Sequence, residues 1–356
     1  MHGQTSQKNG EEDSEQVAKE KLPKVHWKVE YRDQNDFDVV YTDDVTDEDA
    51  QKRHRQSLDG PAFEVVDVYF TSERKKADSK KAKAKDNPEE KEPTVRPAIS
   101  SKGHQFIRIF STAIINAIQS VVNYYPGEEI TGDALSINEP YAILVHHKDE
   151  LQEFRERFNP ANGDVDTRNC VVQGTYEDLG HLLDFLERKN GEQVRKEQAR
   201  WNQQAPQASF EMLWLLLKPG IDVYFDLDDL GSIEPWVVSQ VSFRILNGSW
   251  TEYSVTLWSL NSVGEYVEPR YRTSTVQHFH GERAIAELDI FPCQYLATHA
   301  KREAELIKRG KMFFHLRRKR CMWFDGKSST FPQRHVSHKP LLKIKSFSNP
   351  ISLKDM

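Results

Sequence analysis

The apolar residues change their period once along this chain, at Pro219-Gly220, and that change sets the fold class. Before it they recur every three or four positions, as on one face of a helix; after it they alternate, as on one face of a strand. Ile114, Ile115, Ile118, Val121, Val122 and Tyr125 follow Ser111, a good N-cap, and Pro126-Gly127 stops the run. Leu151, Phe154 and Phe158 stripe a second helix over 147–158, with Asp149 and Glu150 at the positive end of its dipole and Asn159-Pro160 as terminator. Thr175-Tyr176-Glu177-Asp178 has capping-box character ahead of Leu179, Leu182, Leu183 and Leu186. Gly191 breaks or weakens that helix. Residues 192–201 are so rich in Gln, Glu, Lys and Arg that they read as its exposed continuation, and Ser209 caps one more helix carrying Phe210, Leu213, Trp214 and Leu217.

Beyond Gly220, Ile221, Val223 and Phe225 alternate with polar neighbours. Val237, Val241, Phe243 and Ile245 share one face of a longer strand, and Tyr253, Val255 and Leu257 one face of the next. Asn247-Gly248 between them is the strongest hairpin signal in the chain; Ser262-Val263-Gly264-Glu265 makes a second turn. Segments 266–277 and 284–290 complete five short strands, a number that suits a small antiparallel barrel or a strongly bent meander. A last helix over 300–318 presents Leu306, Phe313 and Leu316 with a basic opposite face, and Met322-Trp323-Phe324 tucks back onto the core. The expected fold is therefore α+β: a helical first half, a five-strand antiparallel barrel-like sheet, a closing basic helix and a disordered N-terminal region.

Charge divides the chain further. Residues 1–100 hold 18 Lys+Arg against 23 Asp+Glu, residues 101–300 hold 16 against 28, and residues 301–356 hold 15 against 4. So charged a start, poor in aliphatic side chains, has little apolar area to offset chain entropy, so most of 1–103 is expected to be disordered. Two stretches of β-formers stand out in it, 25–31 and 62–70, each suited to adding a strand to something else. Segment 74–93, lysine-rich and then acidic with Pro88 and Pro93, reads as a solvated linker. The longest apolar run, 212–217, is far short of a bilayer span, and the charged start at 4–20 is no signal peptide. Cys170, Cys293 and Cys321 lack CxxC spacing and suit a reducing compartment, so an intracellular setting, cytoplasmic or nuclear, is expected.

Several words of the sequence resemble a family. Val121-Val122-Asn123-Tyr124-Tyr125-Pro126-Gly127, Glu139-Pro140-Tyr141 and Leu144-Val145-His146-His147 are similar, in order, to a fungal domain of unknown function (DUF7025) found N-terminal to AAA+ ATPase modules. Leu182-Leu183-Asp184-Phe185-Leu186, the 209–220 run ending Lys218-Pro219-Gly220, Trp236-Val237-Val238 and Phe291-Pro292-Cys293 extend the resemblance over about 104–325. It implies a domain organisation: 1–103 largely disordered with short strands, 104–325 an N-domain of an ATP-driven remodelling motor, and 326–356 a basic, disordered tail. The motor itself is expected after Trp323-Phe324-Asp325-Gly326, where only 30 residues remain. Gly326-Lys327-Ser328 mimics the close of a P-loop, but its first glycine falls at Cys321 and no strand precedes it, so ATP hydrolysis is not carried over. The alternative is that the sequence is an incomplete gene prediction of a full-length AAA+ ATPase that binds and hydrolyses ATP, decided by an in-frame or spliced P-loop downstream; oligomerisation is tied to that motor.

The candidate catalytic and metal constellations have plainer readings. Asp226-Leu227-Asp228-Asp229-Leu230-Gly231 clusters acids before a glycine, but Leu230 and Val237 stand where a calcium loop needs oxygen ligands, so it reads as an acidic turn. His278 and His280 share a strand face and would need His146 or His147 as a third ligand; surface or hydrogen-bonded histidines are the plainer reading. No Gly-x-Ser-x-Gly elbow occurs, and Cys293 after Phe291-Pro292 reads as a small buried hydrophobe. No catalytic, cofactor or metal residue is assigned. Lys308-Arg309, Lys311 and Arg317-Arg318-Lys319-Arg320 form a basic segment, with Arg317, Arg318, Lys319 and Arg320 as the candidate contacts for a partner or phosphate. The expectation is a non-catalytic recognition or regulatory module that binds an unidentified protein, with nucleic-acid binding through the basic segment as the other reading. Trp214, Trp236 and Trp258 are expected to build core rather than bind a cofactor.

Overall fold

In the computed structural model of the chain the described residues are 24–34, 38–42, 61–72, 97–162, 174–226, 233–246, 249–263, 266–316, 324–327 and 335–338. Strands β1 (Val25–Asp33), β2 (Val39–Thr42), β3 (Phe63–Thr71), β4 (Ser101–Ile109) and β5 (Leu135–Asn138) form a sheet in the order β2-β1-β3-β4-β5. Val25 pairs with Phe63 and Asp33 with Thr71 in a parallel β1–β3 ladder; the remaining pairs are antiparallel. The two N-terminal stretches of β-formers thus lie at the centre of this sheet, and the boundary expected at residue 104 falls inside β4. The other residues expected to be disordered lie largely outside the described ones.

Alternation in these strands serves two faces. Phe63, Val65, Ile107, Ile109, Leu135 and Ile137 are buried with the helices, whereas Val66, Val68 and Phe106 form a small cluster of their own. Alongside that cluster the charges pair: Arg32 Nη2 lies 2.7 Å from Glu30, and Arg108 reaches both Glu30 (3.4 Å) and Glu64 (3.5 Å). Glu30 and Glu64 are buried, so part of the charge that argued for disorder is consumed in a cross-strand network.

Helix α1 (Thr112–Val121) starts where Ser111 Oγ accepts the Ile114 N–H and buries Ile114, Ile115 and Ile118. It is followed by α2 (Ala142–His146), α3 (Lys148–Arg157) and α4 (Thr175–Leu186), which supply Ile143, Leu144, Leu151, Leu179 and Leu182 to the same core. The capping box expected at Thr175 is not formed: Gly174, at φ 85°, precedes the helix, Thr175 is buried and no side chain caps. Gly174 is suited to that left-handed position because it has no Cβ to clash. Gly191 does not break the next stretch; a π turn over Glu187–Gly191 carries the chain into α5 (Glu192–Trp201).

After β6 (Gln207–Ser209) come a 3-10 turn over Phe210–Met212 and the short α6 (Leu213–Leu216). Ser209 does not cap it; its backbone N–H and hydroxyl both donate to Glu197. Strands β7 (Asp222–Asp226), β8 (Ile233–Ser242), β11 (Tyr253–Val263), β12 (Tyr266–Val276) and β14 (Ile290–Pro292) form a second antiparallel sheet in the order β12-β11-β8-β7-β14. Between β8 and β11, β9 (Ile245–Leu246) and β10 (Ser249–Trp250) pair across the two residues where the hairpin was expected, and β13 (Glu282–Ala284) returns to β6. Val255 and Leu257 are buried as their alternation requires, whereas in β7 Tyr224 is buried along with Val223 and Phe225; Trp214 and Trp236 join this core while Trp258 is half-buried.

The expected barrel is corrected. Among the described residues β12 and β14 are the edges of an open sheet, closed by no ladder. The first half is likewise not helical alone but helices laid on a sheet. Helix α7 (His299–Leu316) packs Leu306 on the second core and leaves Phe314 exposed. Phe324 opens β15 (Phe324–Lys327), which pairs with β16 (His335–His338); residues 322–323 lie outside the described ones. No helix among the described residues is long and apolar enough to cross a membrane.

Candidate functional site

The two sheets meet at a joint built from sequence words that lie far apart in the chain. After α1 the chain turns at Pro126-Gly127, which sets the Tyr125 ring 5.9 Å from His146 and 6.3 Å from His147. The His146 Nε2–H donates to the Trp214 carbonyl (3.0 Å), which leaves Nδ1 to accept the Tyr125 hydroxyl (3.1 Å). Burial, helped by the Lys218 cation, holds the His146 imidazole down at about 3, so it stays neutral and structural. Burial pushes the Tyr125 phenol up, with Glu128 adding to it, so the hydroxyl keeps its proton. Lys218 donates to the His146 carbonyl (2.9 Å) and lies 3.7 Å from Glu150, tying the Lys-Pro-Gly word to the His-His word.

A second tie fixes the Glu139-Pro140-Tyr141 word. Tyr141, fully buried, sits in the left-handed region at φ 63°, ψ 38°, a conformation uncommon for a residue with a Cβ. Its hydroxyl donates to Gln105 Oε1 (2.8 Å), and Gln105 Nε2 donates to Asp67 (2.8 Å). Asn190 in the π turn donates to the Pro140 carbonyl (2.7 Å), and Lys189 pairs with Glu139 at 3.1 Å.

Beside this joint lies a cleft of about 210 Å³, lined among others by Tyr125, Glu128, Asn138, Glu139, Gln240 and Phe243. The turn and β8 close on each other at Gly127, where a Cβ would stand 2.8 Å from Cγ of the exposed Gln240 side chain and would displace it. Burial pushes the Glu128 carboxyl up from its ordinary range. Among the described residues the side chains of Glu128, Asn138, Gln240 and Ser242 make no hydrogen bond or ion pair with the protein. Sequence reading missed this cleft, since its walls come from positions 125–142, 219 and 240–243; the only signal was that the Tyr-Tyr-Pro-Gly, Glu-Pro-Tyr and Lys-Pro-Gly words share one resemblance.

The candidate contacts Arg317, Arg318, Lys319 and Arg320 lie outside the described residues, as does most of the acidic turn after Asp226. Lys308 and Lys311 are exposed on α7, while burial and the nearby Arg302 cation push Arg309 down. His278 and His280 are neighbours, with ring centroids 4.8 Å apart, but His278 packs on Phe210 while His146 is spent between Tyr125 and Trp214. Among the described residues no three His, Cys, Asp or Glu side chains are grouped to hold a metal ion. Cys293 is buried, and burial, with Asp222 adding to it, pushes its thiol up to about 12; Cys170 and Cys321 lie outside the described residues.

Comparison with known families matches a domain of unknown function (DUF7025) to residues 198–297, from the end of α5 through β14. That span contains Pro219, Gln240 and Phe243 but not the Tyr125, Glu128 or Glu139 side of the cleft. No curated protein matches the chain, and neither does any solved structure.

Proposed function

We propose that this chain is a non-catalytic recognition module that binds another protein. Following the resemblance, we assign it the role of presenting cargo to a fungal AAA+ ATPase, or of positioning that motor. The observation that supports protein recognition is the β11–β12 ribbon. β8 pairs with β11 only over Ser254–Trp258, whereas β11 and β12 pair along their whole lengths. The two strands therefore run on past β8, and this extension exposes Leu260 (64%) and Tyr266 (77%), with exposed Tyr271 (65%) beside it, opposite Trp258. Large apolar and aromatic side chains held out on a paired two-stranded ribbon favour a protein partner, because tyrosine supplies contact area at low entropy cost.

Placing a photo-crosslinking amino acid at Tyr271 of the full chain, in its own cells, tests this. A discrete product that is lost in the Leu260→Asp variant is expected. A pattern identical to that from a crosslinker at Ile99, exposed elsewhere, overturns it. Nucleic-acid binding through α7 and Arg317–Arg320 is the second reading, supported by Lys308 and Lys311 on the exposed side of α7; it requires affinity that falls steeply with salt.

A further inference from the structure

We propose that the cleft between the two sheets is a binding site for a guanidinium group, the side chain of an arginine presented by a partner peptide. The site is distinct from the β11–β12 ribbon and does not rest on it. At about 210 Å³ the cleft lies below the roughly 300 Å³ at which pockets for drug-sized ligands begin, and suits a single side chain.

Charge then selects the class. Two carboxylates, Glu128 and Glu139, line the cleft, and among the described residues the one lysine paired with either of them is Lys189, 3.1 Å from Glu139. Glu128 has no partner among the described residues although it is half-buried, which is a costly state for a carboxylate and one that an incoming cation relieves. Anions are repelled by the same pair.

Hydrogen-bond inventory distinguishes the cations. The cleft is also lined by the exposed Asn138, Gln240 and Ser242, whose side chains make no hydrogen bond to the protein among the described residues, and by Tyr125 and Phe243. A guanidinium carries several N–H donors in one plane and stacks on aromatic faces, so it can use a carboxylate, several neutral oxygens and a ring together. An ammonium is a point charge with three donors and no flat face to stack. The rigidity of the walls favours binding as well: Tyr125 is fixed by His146, Pro140 by Asn190, and the Gly127 turn lies directly on Gln240.

The full chain titrated with N-acetyl-L-arginine N-methylamide, and with its lysine and citrulline counterparts, tests the proposal by calorimetry and by amide chemical shifts. The arginine probe is expected to bind at least about tenfold more tightly than either counterpart. Free L-arginine in a separate titration separates the two sources of the group: weaker binding than the blocked probe supports a peptide arginine, and tighter binding overturns the peptide assignment. Glu128→Gln is expected to lose about tenfold in affinity, while the exposed neighbour Glu129→Gln loses none. If Glu128→Gln does not fold, Gln240→Ala carries the same test with an expected loss of about threefold. Equal binding of arginine and citrulline probes, preference for lysine, or an unaffected Glu128→Gln would each refute the assignment.

Discussion

Glu197 offers the sharpest test of the packing described above. It lies on α5, in a run whose composition reads as exposed, yet it is 0% accessible. Its carboxylate accepts from the Ser209 N–H (2.8 Å), the Ser209 hydroxyl (2.9 Å) and Arg200 (2.6 Å). Glu197→Ala leaves the half-buried backbone donor and hydroxyl of Ser209 without this partner, each worth about 1–3 kcal/mol, the lower end where water reaches them. Arg200 loses less, because it is partly exposed and keeps Glu282 at 2.6 Å. The sum is about 3–4 kcal/mol, near the range for breaking one partner of a buried pair. Urea unfolding of the full chain, followed by tryptophan fluorescence, reads this as a shift of the midpoint at constant slope. Glu197→Gln, which keeps one acceptor, should fall between wild type and Ala. Glu192→Ala, on the exposed side of the same helix, should leave the midpoint unchanged. A loss below about 1 kcal/mol for Glu197→Ala would show that α5 does not seat this carboxylate against β6.

Further outcomes follow from the same geometry. The folded-state pKa of His146, about 3, lies below its ordinary 6.5, so its contribution to stability is whole above pH 6.5 and is lost as pH falls from there toward 3. The slope is about 1.4 kcal/mol per pH unit. Denaturant unfolding of His146→Gln should therefore show a shallower pH dependence than wild type between about pH 6 and pH 4.5, and equal slopes would refute it. Ser111→Ala removes both the cap on Ile114 and the 2.7 Å bond to Asp178, an expected loss of about 1–2 kcal/mol in the same assay. Ile118→Ala, at a fully buried position between α1 and the first sheet, should cost about 2–5 kcal/mol. Gly127→Ala forces Gln240 to move and should weaken arginine-probe binding more than it lowers the unfolding midpoint.

Local chemistry in the sequence was enough to identify most elements one at a time. Ser111 and Pro126-Gly127 bound α1 on either side, Pro219-Gly220 marks the change from helices to strands, and Asn247-Gly248 lies between two strands that do pair. These are interactions between residues a few positions apart, and composition at those positions carries them. Partnership across the chain left no such trace. That β1 runs parallel to β3, with Val25 facing Phe63, and that both fill the middle of a sheet, depends on a ladder closed over more than thirty residues. The charge that argued for disorder there is instead spent on Arg108 from another strand. The expected barrel failed for the same reason: five strands can be counted from alternation, but whether the first meets the last is a matter of twist and register. Glu197 and the cleft complete the contrast. Periodicity assigns a residue to a helix, and only the tertiary structure decides which side chains from distant segments converge, because burial and hydrogen-bond satisfaction are properties of neighbours in space.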